Sequence, residues 1–337
     1  MANATLKATS RASYSKPVPS RAAYAKLSNV IAQPMRIQAR PGSAAEKKYY
    51  VKSALPQVWA MPKAIAPGIN PDVLEDLIYH GGKVVPQMEF QNVYLGGAAS
   101  WLASDVSSID AAIKLAMQDK RLNNVMVQYF PGVAMSCDVR DSFVLDAAKP
   151  NSLDEPDVQA LAISLFDGGL IKKTSLDSCI FNFVLPAGTV LKLGNSTSTN
   201  GLGGYHGSVR INRAGKAVAL YYSANVYSEV RADGRENGIA VFNKPWKNVV
   251  GTLYHELNEF RTDPDVNDAI IQNNSDFLGW NSRSGREVGD QPIFAASNLN
   301  LVFKEVKASS GTKRIPVQFM YSNAVHGAEG PIAKPHA

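Results

Sequence analysis

Tyr254-His255-Glu256-Leu257-Asn258-Glu259-Phe260-Arg261-Thr262-Asp263-Pro264 is the stretch from which the rest of the chain is read. Advancing 100° per residue from Leu253 places Val249, Val250, Leu257 and Phe260 within about 60° of it, and His255 and Glu259 about 200–240° round. An amphipathic helix is therefore expected over about 246–261. Thr262-Asp263-Pro264 ends it, because a residue before proline is pushed out of the α region. One face docks on a core and the other offers an imidazole and a carboxylate to a cleft. The spacing is that of H-E-x-x-H helices, in which two histidines grip zinc and the glutamate acts as general base. Here Glu259 replaces the second histidine, giving H-E-x-x-E. The bland alternative is a solvated helix face that carries His and Glu by chance.

Outward from this helix the chain alternates strand and helix patterns. Lys83–Val85 and Phe90–Leu95 read as strands, broken by Gly81-Gly82 and Gly96-Gly97. Ser107–Leu122 has helical spacing of Ile109, Ala112, Ile113, Ala116 and Met117, and Asn124–Phe130 reads as a strand. A second helix is expected over 154–170, capped by Asp154 and stopped by Gly168-Gly169. Ser178–Leu185 is a buried-strand run, and Ala217–Tyr222 and Gly238–Phe242 read as further strands. Leu299–Val306 and Arg314–Tyr321 close the chain as two strands joined at Ser309-Ser310-Gly311. The expected fold class is α/β, a mixed sheet with flanking helices in one metallopeptidase-like α+β domain. That domain spans 48–327, between a disordered N-terminal extension (1–47) and a flexible C-terminal tail (328–337).

Charge narrows the choice of partners. The whole 337-residue chain is +6, yet residues 1–45 alone hold seven Lys and Arg and no acid. The remainder is close to neutral, which argues against a nucleic-acid surface on the folded domain. The acid-poor, Ser- and Arg-rich start leaves organelle targeting open, and no apolar stretch of a secretory signal is visible. No run reaches the ~18 apolar residues of a membrane span. Two cysteines, Cys137 and Cys179, permit one disulfide without requiring it.

Three further segments carry candidate ligands. Gly201–Ser208 bends closely around His206, and it lacks the Gly-Lys-Ser/Thr ending of a phosphate loop. Gly279–Asp290 offers Glu287 and Asp290 as third ligands beyond the helix. Asp263, Asp265 and Asp268 form an oxygen-only cluster suited to calcium. A flexible loop, a polar turn and a helix exit are the respective plain alternatives.

Taken in order, these segments resemble the EXORDIUM / phosphate-induced protein family, most closely its bacterial relatives with an H-E-x-x-E helix. The carrying residues are Tyr79-His80-Gly81-Gly82-Lys83-Val84-Val85, Asn92 to Trp101, Asn123 to Tyr129, Phe183 to Thr189 and Gly204-Tyr205-His206-Gly207-Ser208. They continue with His255 to Pro264, Gly279-Trp280 with Glu287-Val288-Gly289-Asp290, and Val317-Gln318 with Tyr321-Ser322-Asn323. The resemblance covers roughly 75–327. It implies secretion, and its plant members are linked to extracellular growth signalling rather than to a reaction. The chain departs from the pattern in having no visible signal, fewer cysteines, and Gln291-Pro292 after Asp290.

Two functions are expected from these residues. In the first, the protein is a zinc-dependent, peptidase-like hydrolase, with calcium or manganese as alternative ions. His255 and Glu259 bind the metal, Asp290, Glu287 or His206 completes the set, and Glu256 is the general base. A carboxylate in place of histidine weakens the ion as a Lewis acid. The substrate would be a peptide or a polysaccharide-associated bond. In the second, the protein is a non-catalytic extracellular or surface binding protein in which the same residues form a structural ion site or a polar core.

Overall fold

In the computed structural model, residues 36–37, 65–171 and 175–336 are described. A seven-stranded mixed sheet comprises β1 (Arg36–Ile37), β2 (Gln87–Tyr94), β3 (Ser136–Val139), β4 (Phe143–Val144), β5 (Cys179–Leu185), β6 (Leu202–Arg213) and β7 (Lys216–Val226). Its order is β1-β6-β7-β5-β2-β3, with β4 also pairing β2. β6 and β7 form an antiparallel hairpin, and β7, β5, β2 and β3 run parallel to one another. The helices longer than a single turn are α1 (Ala103–Gln118), α2 (Glu155–Asp167), α3 (Pro245–Thr262), α4 (Val266–Gln272) and α5 (Asp290–Ala295). Two small hairpins follow: β8 (Phe303–Lys307) with β9 (Arg314–Gln318), and β10 (Met320–Ser322) with β11 (Gly327–Glu329).

β5 shows why the sheet is covered on both sides. Every residue of Cys-Ile-Phe-Asn-Phe-Val-Leu is buried, as expected of a near-continuous apolar run in a parallel strand. Ile180 and Val184 join the core formed with α1 and α3, while Phe181, Phe183 and Leu185 join the core formed with α2. The expected α/β class is the observed one: a mixed sheet with flanking helices. α2 begins with a capping box in which Asp154 and Asp157 each accept the other's backbone N–H at 3.1 Å. Pro245 opens α3 at its first turn, where a missing N–H costs nothing.

Several local expectations are corrected. Asn124–Phe130 is not a strand, and Met126–Tyr129 is a 3-10 helix. Asp119 caps a second helical turn, Lys120–Asn123, immediately after α1, so the chain stays helical through this stretch. Lys83–Val85 is irregular, and Val85 N–H donates to the Arg261 carbonyl at the end of α3. Gly238–Phe242 is irregular too, because Ser228 Oγ and Asn248 Oδ1 take the Ile239 and Phe242 N–H groups that a strand would share. The closing hairpin forms, but Leu299–Leu301 is a 3-10 turn before β8. Ordered structure continues past 327, since β11 is buried and pairs with β10. Residues 1–47, expected as a disordered extension, lie outside the described residues except for β1, which pairs with β6 at Gly204 and Leu202.

Cys137 and Cys179 are free and buried. They lie on β3 and β5 with β2 between them, and they belong to the cores on opposite faces. Two strand spacings, about 9–10 Å, exceed the Cα separation a disulfide spans. Among the described residues, no helix is long and apolar enough to cross a membrane.

Candidate metal centre

The helical period places His255 and Glu259 on one face of α3, and His255 Nε2 lies 3.1 Å from Glu259 Oε2. β6 runs beneath that face and brings up His206, whose Nδ1 is 3.3 Å from Glu256 Oε2 and 3.6 Å from Glu259 Oε2. The segment leading into α5 closes the side. Glu287 Oε1 is 3.5 Å from His206 Nε2, and Asp290 Oδ1 is 3.8 Å from His255 Nε2. Gly289 in this segment tolerates no side chain, because a Cβ would sit 2.6 Å from His255 Nδ1 and 3.0 Å from Glu259 Oε1.

Each imidazole is held by its other nitrogen. Gln318, at the end of β9, donates its amide to the Gly289 carbonyl, which turns its oxygen towards His255. His255 Nδ1–H donates to that Oε1 at 2.8 Å. His206 Nε2–H donates to the Asp263 carbonyl at 3.0 Å. Both rings therefore present Nε2 (His255) or Nδ1 (His206) to Glu259 Oε2. A bare lone pair facing a carboxylate oxygen is repulsive, so a cation, either a proton or a metal, belongs between them. Such outer-shell anchors are what metal-binding histidines need to fix ring orientation and tautomer.

Electrostatics agree with the geometry. Burial alone pulls both imidazoles towards neutrality. For His206, the hydrogen bonds and charges of Glu256 and Glu259 outweigh it and push the pKa up to about 9. For His255, Glu259 does the same, with Glu256 and Asp290 adding to it, and the pKa is again pushed up to about 9. The donors fall into two groups, His255-Glu256-Glu259 and His206-Glu259-Glu287, with ligand atoms within 4.8 Å of one another in each.

All six residues singled out from the sequence thus converge: His255, Glu256, Glu259, His206, Glu287 and Asp290. The expected cleft does not appear. His255, Glu256, Glu259 and Glu287 are 0% exposed, and every residue from Asn248 to Thr262 is buried. The second face of α3 meets β6 and the 287–290 segment instead of solvent. A cavity of about 510 Å³ lies at the start of α3, lined by Val241, Phe242 and Asn248 among others, roughly 10–15 Å along the helix from His255.

The Asp263/Asp265/Asp268 cluster is not a calcium loop. Asp263 accepts the Gly279 N–H and the Asn281 amide, Asp265 accepts the Tyr221 hydroxyl, and Asp268 accepts Arg210 Nε. Arg210 and these donors hold the carboxylates in three separate roles.

Sequence reasoning missed a buried polar row. His206, Ser223, Asn182 and Asn92 are in register across β6, β7, β5 and β2. Ser223 Oγ donates to Asn182 Oδ1 (2.7 Å), Asn182 Nδ2 to Asn92 Oδ1 (2.8 Å), and Asn92 Nδ2 to Asp110 Oδ1 on α1 (2.8 Å). The available signal was an asparagine inside each of two apolar strands, Phe-Gln-Asn-Val and Ile-Phe-Asn-Phe. No family model matches the chain, and neither a curated protein nor a solved structure does.

Proposed function

We propose that this is a metal-binding protein whose buried centre holds a divalent cation at His255 and Glu259, with His206, Glu287 and Asp290 around it. Zinc is the first candidate, and manganese and calcium are the alternatives that carboxylate donors favour. The observation that carries the proposal is the pair of anchored imidazoles, each turning its second ring nitrogen towards Glu259 Oε2. The EXORDIUM-like assignment belongs to the same proposal, supported by the ordered motifs from Tyr79 to Asn323. The closed surroundings favour an ion that ties elements together, as in the non-catalytic alternative.

One observation favours hydrolysis as a second reading. Glu256 Oε1 is fully buried without a hydrogen-bond partner, 3.9 Å from His255 Nε2. A divalent ion supplies positive charge that acidifies water and polarises a carbonyl. Glu256 would accept the water proton at Oε1, and His206 would hold the other oxygen of that carboxylate. A peptide or polysaccharide-associated bond would be the substrate.

Metal analysis of protein purified without chelator tests the first claim. Stoichiometric metal that is lost in His255→Ala supports it. Absence of metal, together with unchanged stability of His255→Ala, removes it. For the second reading, Glu256→Gln should keep a bound ion and lose cleavage of a peptide panel. A wild type inactive on every peptide and glycan-linked substrate offered would leave only the non-catalytic role.

A further inference from the structure

Two donor groups, not one, are built around Glu259. His255, Glu256 and Glu259 form one, and His206, Glu259 and Glu287 form the other. Among the described residues, no group contains both imidazoles. Donors about 2.1 Å from one ion lie within about 4.2 Å of each other. Each imidazole therefore addresses its own position. The anchors are also separate: Gln318 on β9 for His255, and the Asp263 carbonyl beyond α3 for His206.

Two carboxylates face both imidazoles. Glu259 Oε2 is 3.1 Å from His255 Nε2 and 3.6 Å from His206 Nδ1. Those separations are close to the roughly 3.0–3.4 Å between neighbouring donors on one ion at octahedral to tetrahedral angles. Glu256 divides its oxygens between the same two nitrogens, with Oε1 3.9 Å from His255 Nε2 and Oε2 3.3 Å from His206 Nδ1. Oε1 is buried with no hydrogen-bond partner. Glu259 is the carboxylate common to both groups and is placed to bridge, whereas Glu256 belongs to the His255 group.

We infer that the centre takes two divalent cations bridged by Glu259, one at His255 Nε2 with Glu256 and with Asp290 beside it, and one at His206 with Glu287. This rests on the metal-binding proposal above and adds a second ion to it. Two histidines with four carboxylates is also the donor set of dinuclear carboxylate centres in helical bundles, a likeness of ligands and not of fold. Mixed imidazole and carboxylate donors suit manganese, iron or zinc. Glu256 then acts as a ligand, so the hydrolytic role given to it above would pass to another group.

The full chain, stripped of metal and reloaded with Mn²⁺, decides the point by metal analysis after gel filtration and by electron paramagnetic resonance. The expected result is two manganese ions per chain with an exchange-coupled spectrum, and one ion with an isolated-ion spectrum in His206→Ala. One ion per wild-type chain, uncoupled, overturns the second position and leaves the metal-binding proposal standing. No bound ion removes both. Two ions without coupling overturn the bridged arrangement, because they would occupy unrelated places. Should His206→Ala fail to fold, the wild-type stoichiometry and spectrum still decide.

Discussion

At the scale of single residues, the centre depends on groups that never touch an ion. Gln318 holds the His255 ring through a hydrogen bond while its amide grips the Gly289 carbonyl. Gln318→Leu should leave the fold intact and weaken metal affinity by about 10–100-fold, the usual cost of losing an outer-shell partner. Titration calorimetry checks this, and unchanged affinity would show that the ring needs no anchor. Gly289→Ala should cost roughly 1–3 kcal/mol in urea unfolding, because the added methyl meets the His255 ring at 2.6–2.8 Å. The two histidines also set a pH dependence. With chelator present, their folded pKa values of about 9 exceed the ordinary 6.5. Their contribution is fully present below about pH 6.5 and is lost as pH rises towards 9. With metal present the trend should reverse over the same window, because deprotonated imidazoles bind the ion. Urea midpoints at several pH values, with and without metal, measure both slopes.

Among the elements, α3 and the central strands carry the argument. The period of the 249–260 apolar stripe was legible in the sequence, and the helix it defines is the observed α3. Its burial on the ligand face was not legible, because the cover comes from β6 and the 287–290 segment, both distant in sequence. The capped α2 and the buried run of β5 were equally readable, since each rests on local chemistry. Asn124–Phe130 misled because a run of that length fits either period; the turn capped by Asp119 ends at Asn123, and Met126–Tyr129 forms a separate 3-10 turn. The Asn92–Asn182–Ser223 row depends on register between strands, which no local pattern reveals. Asn182→Leu should orphan Asn92 Oδ1 at a cost of about 1–3 kcal/mol and take the acceptor from the Ser223 O–H, whose Oγ keeps the Asn225 amide as donor. Chemical denaturation measures this, and a neutral effect would mean that the row contributes nothing to stability.

For the whole molecule, the centre joins parts of the chain that are far apart: β6, α3, the segment before α5, and β9. The five candidate ligands and the candidate general base Glu256 could be named from the sequence, since His255-Glu256-x-x-Glu259 and the two flanking loops each carry their own spacing. Their closure into a buried core could not. An ion bound only to the folded state should stabilise the molecule by about 4 kcal/mol at a thousandfold excess over Kd. Chelation should therefore lower the melting temperature in calorimetry, whereas an equal excess of chelator should do nothing if the residues form only a polar core. The most direct measurement is anomalous diffraction from crystals of the zinc- or manganese-loaded protein. An anomalous peak is expected within bonding distance of His255 Nε2 and Glu259. A loaded crystal with no anomalous density among His206, His255, Glu256, Glu259 and Glu287 would contradict the metal-binding proposal.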